Sequence, residues 1–234
     1  MLFAFKKGGF MKSKKIIRNV MIGLSVVALV SCGEKQLSRS EAVSELGTIE
    51  TTTVDTPSKI SMKLSTSQSS EINASGAEIS AYVTLDISVE DHYFHMDANG
   101  TNLYVYEKDS VLYFKIGDAL SLTASLDFEK TVKLYTGGKT CTEYIKDFTD
   151  TYGLKIVDSL FTEIGKIEGV TESYTSKESG HLAGQVSYTN TNKYETSFEI
   201  NHYFLTSLVS SVNGEKILDL NLNLDNVKIV IPEN

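Results

Sequence analysis

The chain has 234 residues, 41% hydrophobic and 22% charged, with 12 Tyr, 10 Phe, 2 Pro and no Trp, a balance that excludes a disordered or fibrous polymer and fits one domain or two small ones. The formal net charge of -8 hides an asymmetry: residues 1–31 hold six of the 22 basic residues and no acidic one, so the remainder carries 16 basic against 30 acidic residues, a net of -14. A body that acidic argues against nucleic acid as a partner, because phosphate is repelled and no counterion-release energy is gained.

From Met11 the chain reads MKSKKIIRNVMIGLSVVALVSC. Lys12, Lys14, Lys15 and Arg18 form a positive segment, and Val20 to Val30 is apolar apart from Gly23 and Ser25. Such a run is too short for a hydrocarbon core about 30 Å thick, which needs about 20 residues. It fits the apolar region of a signal peptide, with Met11 the expected start of translation. Leu29-Val30-Ser31-Cys32 resembles the bacterial lipobox: an aliphatic residue, a small or aliphatic one, a small one, then cysteine. The resemblance implies diacylglyceryl attachment at the Cys32 sulfur and cleavage before it, with residues 1–31 discarded. It also implies an extracytoplasmic protein held on the outer face of the cell membrane. Gly33 at the next position would not mark inner-membrane retention in a two-membrane cell. Two acyl chains anchor stably where one binds reversibly, at about 0.8 kcal/mol per buried methylene. With Cys32 acylated, Cys141 has no partner, so no disulfide is expected.

Residues 32–58 are rich in Ser, Thr and Glu and read as a polar tether, with Ser38 to Leu46 at most a short helix. A single β-rich domain is expected over 59–234. Alternation begins with Ile60, Met62 and Leu64, and continues with Ala81, Val83, Leu85, Ile87 and Val89 against Tyr82, Thr84, Asp86 and Ser88. Asn99-Gly100 is a turn signal. The stretch TNLYVYEKDSVLYFKIG predicts a hairpin around EKDS that is apolar or aromatic on both faces. A strand of that kind needs cover on both sides or lines a cavity. Tyr104, Tyr106, Tyr113 and Phe114 are therefore candidate pocket residues, against the alternative that they only stabilise strand pairs.

Helical spacing is confined to one region. Tyr144, Ile145, Phe148 and Tyr152 share a stripe, Gly153 reads as a stop or kink, and Val157, Leu160, Phe161 and Ile164 follow at i, i+3, i+4, i+7. The rest alternates again, with Asn213-Gly214 a second turn signal and Leu218, Leu220, Leu222 and Leu224 facing away from Asp219, Asn221 and Asn223. The expected fold is α+β, mostly β: about ten strands in a curved, half-barrel-like antiparallel sheet, with one or two packed helices near 140–166.

The motifs of chemistry are weak. TGGKTCTE ends like a P-loop, but the glycine required five positions before Gly138 is Lys133; Thr140 with Glu143 reads as a capping box instead. His92 and His95 lie three apart on a strand and face opposite ways, His181 and His202 are isolated, and His95 with Asp97 makes a poor two-ligand set. No metal or other cofactor is expected. No nucleophile elbow occurs, the carboxylates are scattered, and no catalytic residue is assigned.

The order of acylated cysteine, tether, meandering sheet, helical insertion and a closing DNVKIVIP is similar to the lipoprotein-carrier superfamily, which includes LolA-, LolB- and LppX-like proteins. That resemblance covers about Lys59 to Pro232. It implies a half-barrel with helices in its mouth and a non-enzymatic protein that binds a lipid or other amphiphile in its concave face. The alternative is a surface protein-interaction or adhesive module with no ligand pocket.

Overall fold

The computed structural model describes residues 33–68, 79–117, 120–123, 127–224, 227 and 229–232. The expected leader, residues 1–31, and Cys32 lie outside the described residues. The compact unit starts at Lys35. It comprises β1 (Lys35–Leu37), α1 (Arg39–Thr51), β2 (Lys59–Gln68), β3 (Ile79–Ser88), β4 (Tyr93–Ala98), β5 (Thr101–Lys108), β6 (Val111–Ile116) and β7 (Leu120–Thr123). Next come α2 (Phe128–Lys133), α3 (Cys141–Asp147), a π-helical segment (Phe148–Leu154) and α4 (Lys155–Ile164). Five strands complete it: β8 (Thr171–Ser176), β9 (Leu182–Thr189), β10 (Lys193–Asn201), β11 (Phe204–Val212) and β12 (Glu215–Asn223).

All the strands form one antiparallel sheet in the order β1-β8-β9-β10-β11-β12-β2-β3-β4-β5-β6-β7, open at β1 and β7. Two meanders, β2 to β7 and β8 to β12, are fused by the pairing of β12 with β2. The expected class, a curved antiparallel sheet with packed helices in a mostly β chain, is the one observed.

Register explains the two faces. Met62 pairs with Leu85 and with Leu222, Leu85 pairs with Met96, and Ile87 pairs with Phe94. A period of two then places Ile60, Met62, Leu85, Ile87, Phe94, Leu103 and Val105 on one inner face, where all seven are buried. In the second meander, Phe198 pairs with Gly184 and Leu208, and Leu208 pairs with Leu220. Gly184 is required here: a Cβ would stand 2.4 Å from the Phe198 ring and 2.8 Å from that of Tyr174. The missing side chain lets Phe161 of α4, Tyr174 and Phe198 pack as one aromatic cluster, with centroids 5.1 to 6.5 Å apart.

The expected tether is corrected over Lys35–Thr51. β1 pairs with β8, and α1 is a capped helix in which the Ser38 side chain accepts from the Glu41 N–H while Glu41 accepts from the Ser38 N–H. Ala42, Leu46 and Ile49, at i, i+4, i+7, are buried in the core. The helix is pinned by Arg39, whose Nε donates to Glu172 at 2.8 Å, and Tyr174 Oη donates to the same carboxylate at 2.9 Å. Three apolar residues among Ser, Thr and Glu make a narrow stripe, so the segment looks polar in composition although one face is buried. Gly153 neither stops nor breaks the helical run; the backbone continues through it as a π turn.

If α1 is part of the core, Leu46→Ala lowers stability by about 2–5 kcal/mol. Val43→Ala, on the exposed side of the same helix, changes it by less than about 0.5 kcal/mol. Chemical denaturation of both variants checks this, and equal midpoints would return the segment to a tether.

Candidate functional site

An apolar cavity of about 190 Å³ lies between the π segment and the inner face of β2, β11 and β12. The sheet supplies Leu64, Leu205, Leu208, Leu218 and Leu220, and the helical layer supplies Phe148, Gly153 and Ile156. Leu64, Leu218 and Leu220 arrive by alternation, with Leu64 directly opposite Leu220, whereas Leu205 and Leu208, three apart, reach one face because the β10–β11 register shifts between Glu199 and Ile200. Thr149 is the polar member of the wall; its hydroxyl donates to the carbonyl oxygen of Ile145 at 3.0 Å and carries no unmet demand. A wall of this kind stays dry. Gly153 leaves open space, since an added Cβ would only reach ordinary contact with Leu205 Cβ at 3.5 Å. Ile156 is 38% exposed and connects the cavity with solvent. The volume suits one small apolar group or the end of an acyl chain, being below the ~300–1,000 Å³ of sites that engulf a whole ligand.

The aromatic residues read as pocket candidates do not line this cavity. Tyr104, Tyr106 and Tyr113 lie on the outer face, on alternate positions to Leu103, Val105 and Phe114. Tyr106 stacks on its cross-strand partner Tyr113 with centroids 5.1 Å apart, and Tyr104 stacks on His95 at 4.3 Å. Phe114 is on the inner face but stacks on Tyr135, beyond α2, at 5.3 Å. Cross-strand pairing is thus their observed use. The double-sided apolar character has a physical cause: the inner side packs against the core, and the outer side is covered at Tyr93, whose hydroxyl donates to the Val230 carbonyl oxygen at 3.2 Å. Tyr93 is 1% exposed although its ring is on the outer face.

The outer face also carries a chain of polar groups. Ser61 Oγ donates to Asp86 Oδ1 at 2.5 Å, and Asp86 Oδ2 is 3.0 Å from His95 Nδ1. His95 Nε2 is 3.0 Å from Asn102 Oδ1. Burial pulls the His95 pKa down, but hydrogen bonds to Asp86 and Asn102, aided by the charges of Asp86 and Asp97, outweigh it and leave the ring above its ordinary value. His92 is elsewhere, 2.7 Å from Glu107 and stacked on Phe128. Asp97 accepts from the Gly100 N–H and the Tyr82 hydroxyl, away from the ring nitrogens of His95. Among the described residues no group of three or more His, Cys, Asp or Glu could hold a metal ion. Cys141 is fully buried at the start of α3, and burial pushes its thiol up to about 12. Thr140 and Glu143 form the expected capping box.

Sequence reading missed the cavity wall. Its signal was present in the Leu218, Leu220 and Leu222 alternation and in Gly153 inside an apolar helix, but which strands oppose that helix is a matter of topology. No family model matches the chain, and no curated protein matches it either. No helix among the described residues is long and apolar enough to cross a membrane.

The raised pKa of His95 fixes a sign. A proton held more tightly in the folded state contributes stability that is complete below the ordinary value of 6.5 and is lost as pH rises through the folded value. Thermal melts of wild type and His95→Gln from pH 5 to 9 should therefore converge with rising pH, the wild type losing its advantage above pH 6.5. Parallel curves would remove His95 from the account.

Proposed function

We propose that this chain is a membrane-anchored lipoprotein of the extracytoplasmic surface, and that it binds the apolar end of a lipid or other amphiphile. The reading is one of binding without catalysis. Its anchor rests on the Leu29 to Cys32 lipobox after a basic and an apolar segment. Its ligand rests on one observation above all: a dry cavity, walled by leucines and Phe148, that opens past the half-exposed Ile156. The π segment supports it, since an irregular helical turn over the sheet leaves room that a regular helix packed on leucines would fill. The anchor would hold the protein at the membrane surface, where an acyl chain can leave the bilayer for the cavity at little cost in exposed apolar surface.

A second reading, a surface protein-interaction module with no ligand, draws on the exposed row Ile229, Val230 and Ile231 beside Tyr93.

Titration of the full-length protein in detergent with a fluorescent fatty-acid analogue separates the two. The expected result is saturable one-to-one binding, weakened at least tenfold by Ile156→Glu at the mouth and by Gly153→Leu within the wall, with melting checked for both. No saturable binding, or binding indifferent to both substitutions in folded protein, would overturn the lipid reading in favour of the interaction module. For the anchor, radiolabelled palmitate should enter the wild type and not Cys32→Ser; equal labelling ends that part.

A further inference from the structure

A second concavity is chemically unlike the first. An open groove of about 630 Å³ lies where the β10–β11 turn meets β2 and β12, with Ser61, Lys63, Asn201, His202, Thr206 and Asn221 in its polar lining and Leu222 and Leu224 in its apolar lining. Ser61 pairs with Asn223 and Lys63 with Asn221, in alternation with core-facing Met62, so the polar lining of the groove is on the outer face; Leu222, at the end of β12, borders both this groove and the apolar cavity.

The groove is bounded by fixed groups. On one side Ser61 donates to Asp86, which also holds His95. On the other, Asn201 Nδ2 donates to Glu199 Oε1 at 3.1 Å, and the same oxygen faces His181 Nε2 at 3.6 Å. His181 is 2% exposed and does not itself line the groove; its Nε2 has no hydrogen-bond partner.

The turn beside it is, with Asp109-Ser110, one of two hairpin turns among the described residues that place non-glycine residues at positive φ in both central positions. Two-residue hairpins of this geometry need positive φ at both central residues, which favours Asn-Gly. The chain uses that pair at Asn99-Gly100 and Asn213-Gly214. At the groove it uses His202 (φ 49°) and Tyr203 (φ 71°). Tyr203 is clamped there: its N–H donates to the Gly180 carbonyl oxygen at 3.0 Å, and its hydroxyl is 2.9 Å from Ser179 Oγ. Its ring lies so close to Gly180 that a Cβ there would meet it at 2.7 Å. A backbone shape glycine would adopt freely is held by tertiary contacts, and the residue so presented to the groove is a histidine.

Counting hydrogen-bond capacity identifies what would fit. The Ser61 hydroxyl proton goes to Asp86, and that of Thr206 to the Glu199 carbonyl oxygen at 3.1 Å. The amide nitrogen of Asn201 is engaged by Glu199, and that of Asn221 by Asp219 at 2.7 Å. These four side chains therefore have acceptor oxygens to offer, and Asn221 keeps its second amide hydrogen as a donor. An anion would meet these oxygens together with the carboxylates of Asp86, Glu199 and Asp219 that hold them, and be repelled despite Lys63. A cation would find acceptors but also the ammonium of Lys63. A neutral hydroxyl group answers both demands, donating to the acceptors and accepting from Lys63. We infer that the outer groove binds a neutral, hydroxyl-rich saccharide, independently of any lipid in the cavity.

The test uses the full-length protein in detergent, titrated with a panel of neutral oligosaccharides, a glucuronate-containing disaccharide and spermidine, with affinity read by calorimetry. Saturable binding of a neutral member is expected, weakened at least tenfold by Lys63→Ala and by Asn221→Ala. His202→Asn, which keeps a residue suited to the turn, should fold as stably and bind more weakly. Ile156→Glu should leave saccharide affinity unchanged, so failure here is distinct from failure of the lipid reading. Binding of the uronate or the polyamine in preference, no binding of any neutral member, or indifference to all three groove substitutions would each overturn the inference.

Discussion

The pairing of β12 with β2 is the constraint on which the remaining structure depends. Leu220 opposite Leu64 and Leu222 opposite Met62 join the two meanders into one continuous inner face. Without that seam each meander would present an apolar face with an unpaired edge, a form prone to association. With it, one helical layer suffices for both halves: α1 packs toward β8 and β9, α2 toward β5, and the π segment toward β11. The seam is also the floor of the apolar cavity and, on its reverse, the floor of the polar groove.

Using one pair of strands for two sites follows from the pleat. Along Ser61 to Leu64 and Leu220 to Asn223, side chains alternate between leucine or methionine on one side and serine, lysine or asparagine on the other. Four consecutive residues thus contribute to two chemically opposed environments separated only by the backbone. The proposed division of labour, an apolar end inside and a hydroxyl-rich ligand outside, has that alternation as its basis. A slip of one residue in the seam would exchange the two sets of side chains and abolish both sites together.

Much of the fold was legible. Asn99-Gly100 and Asn213-Gly214 are turns, and Thr140 with Glu143 caps a helix, because each depends on atoms within four residues of chain. The His202-Tyr203 turn was not legible, since its clamp, the Gly180 loop, is distant in sequence. Helix α1 was hidden for a related reason: Ala42, Leu46 and Ile49 are a sparse stripe, and only their burial against the sheet shows what the stripe is for. The aromatic hairpin was read correctly as needing cover on both faces. Its pattern leaves a pocket and strand pairing both open; in the structure the rings stack across strands and the C-terminal segment at Val230 meets Tyr93.

By itself the sequence determined the strand and helix periods, the hairpin turns and the caps, and it contains Leu29-Val30-Ser31-Cys32, on which the proposed anchor rests. These are local properties, set by residue type and spacing over a few positions. The tertiary structure alone decided that Met62 meets Leu222 across roughly 160 residues of chain, that Gly153 continues a helix as a π turn, and that a cavity remains beneath it. Such outcomes depend on which distant apolar faces find each other, and many partners satisfy the same alternation equally well. The choice among them is made by the whole packed core.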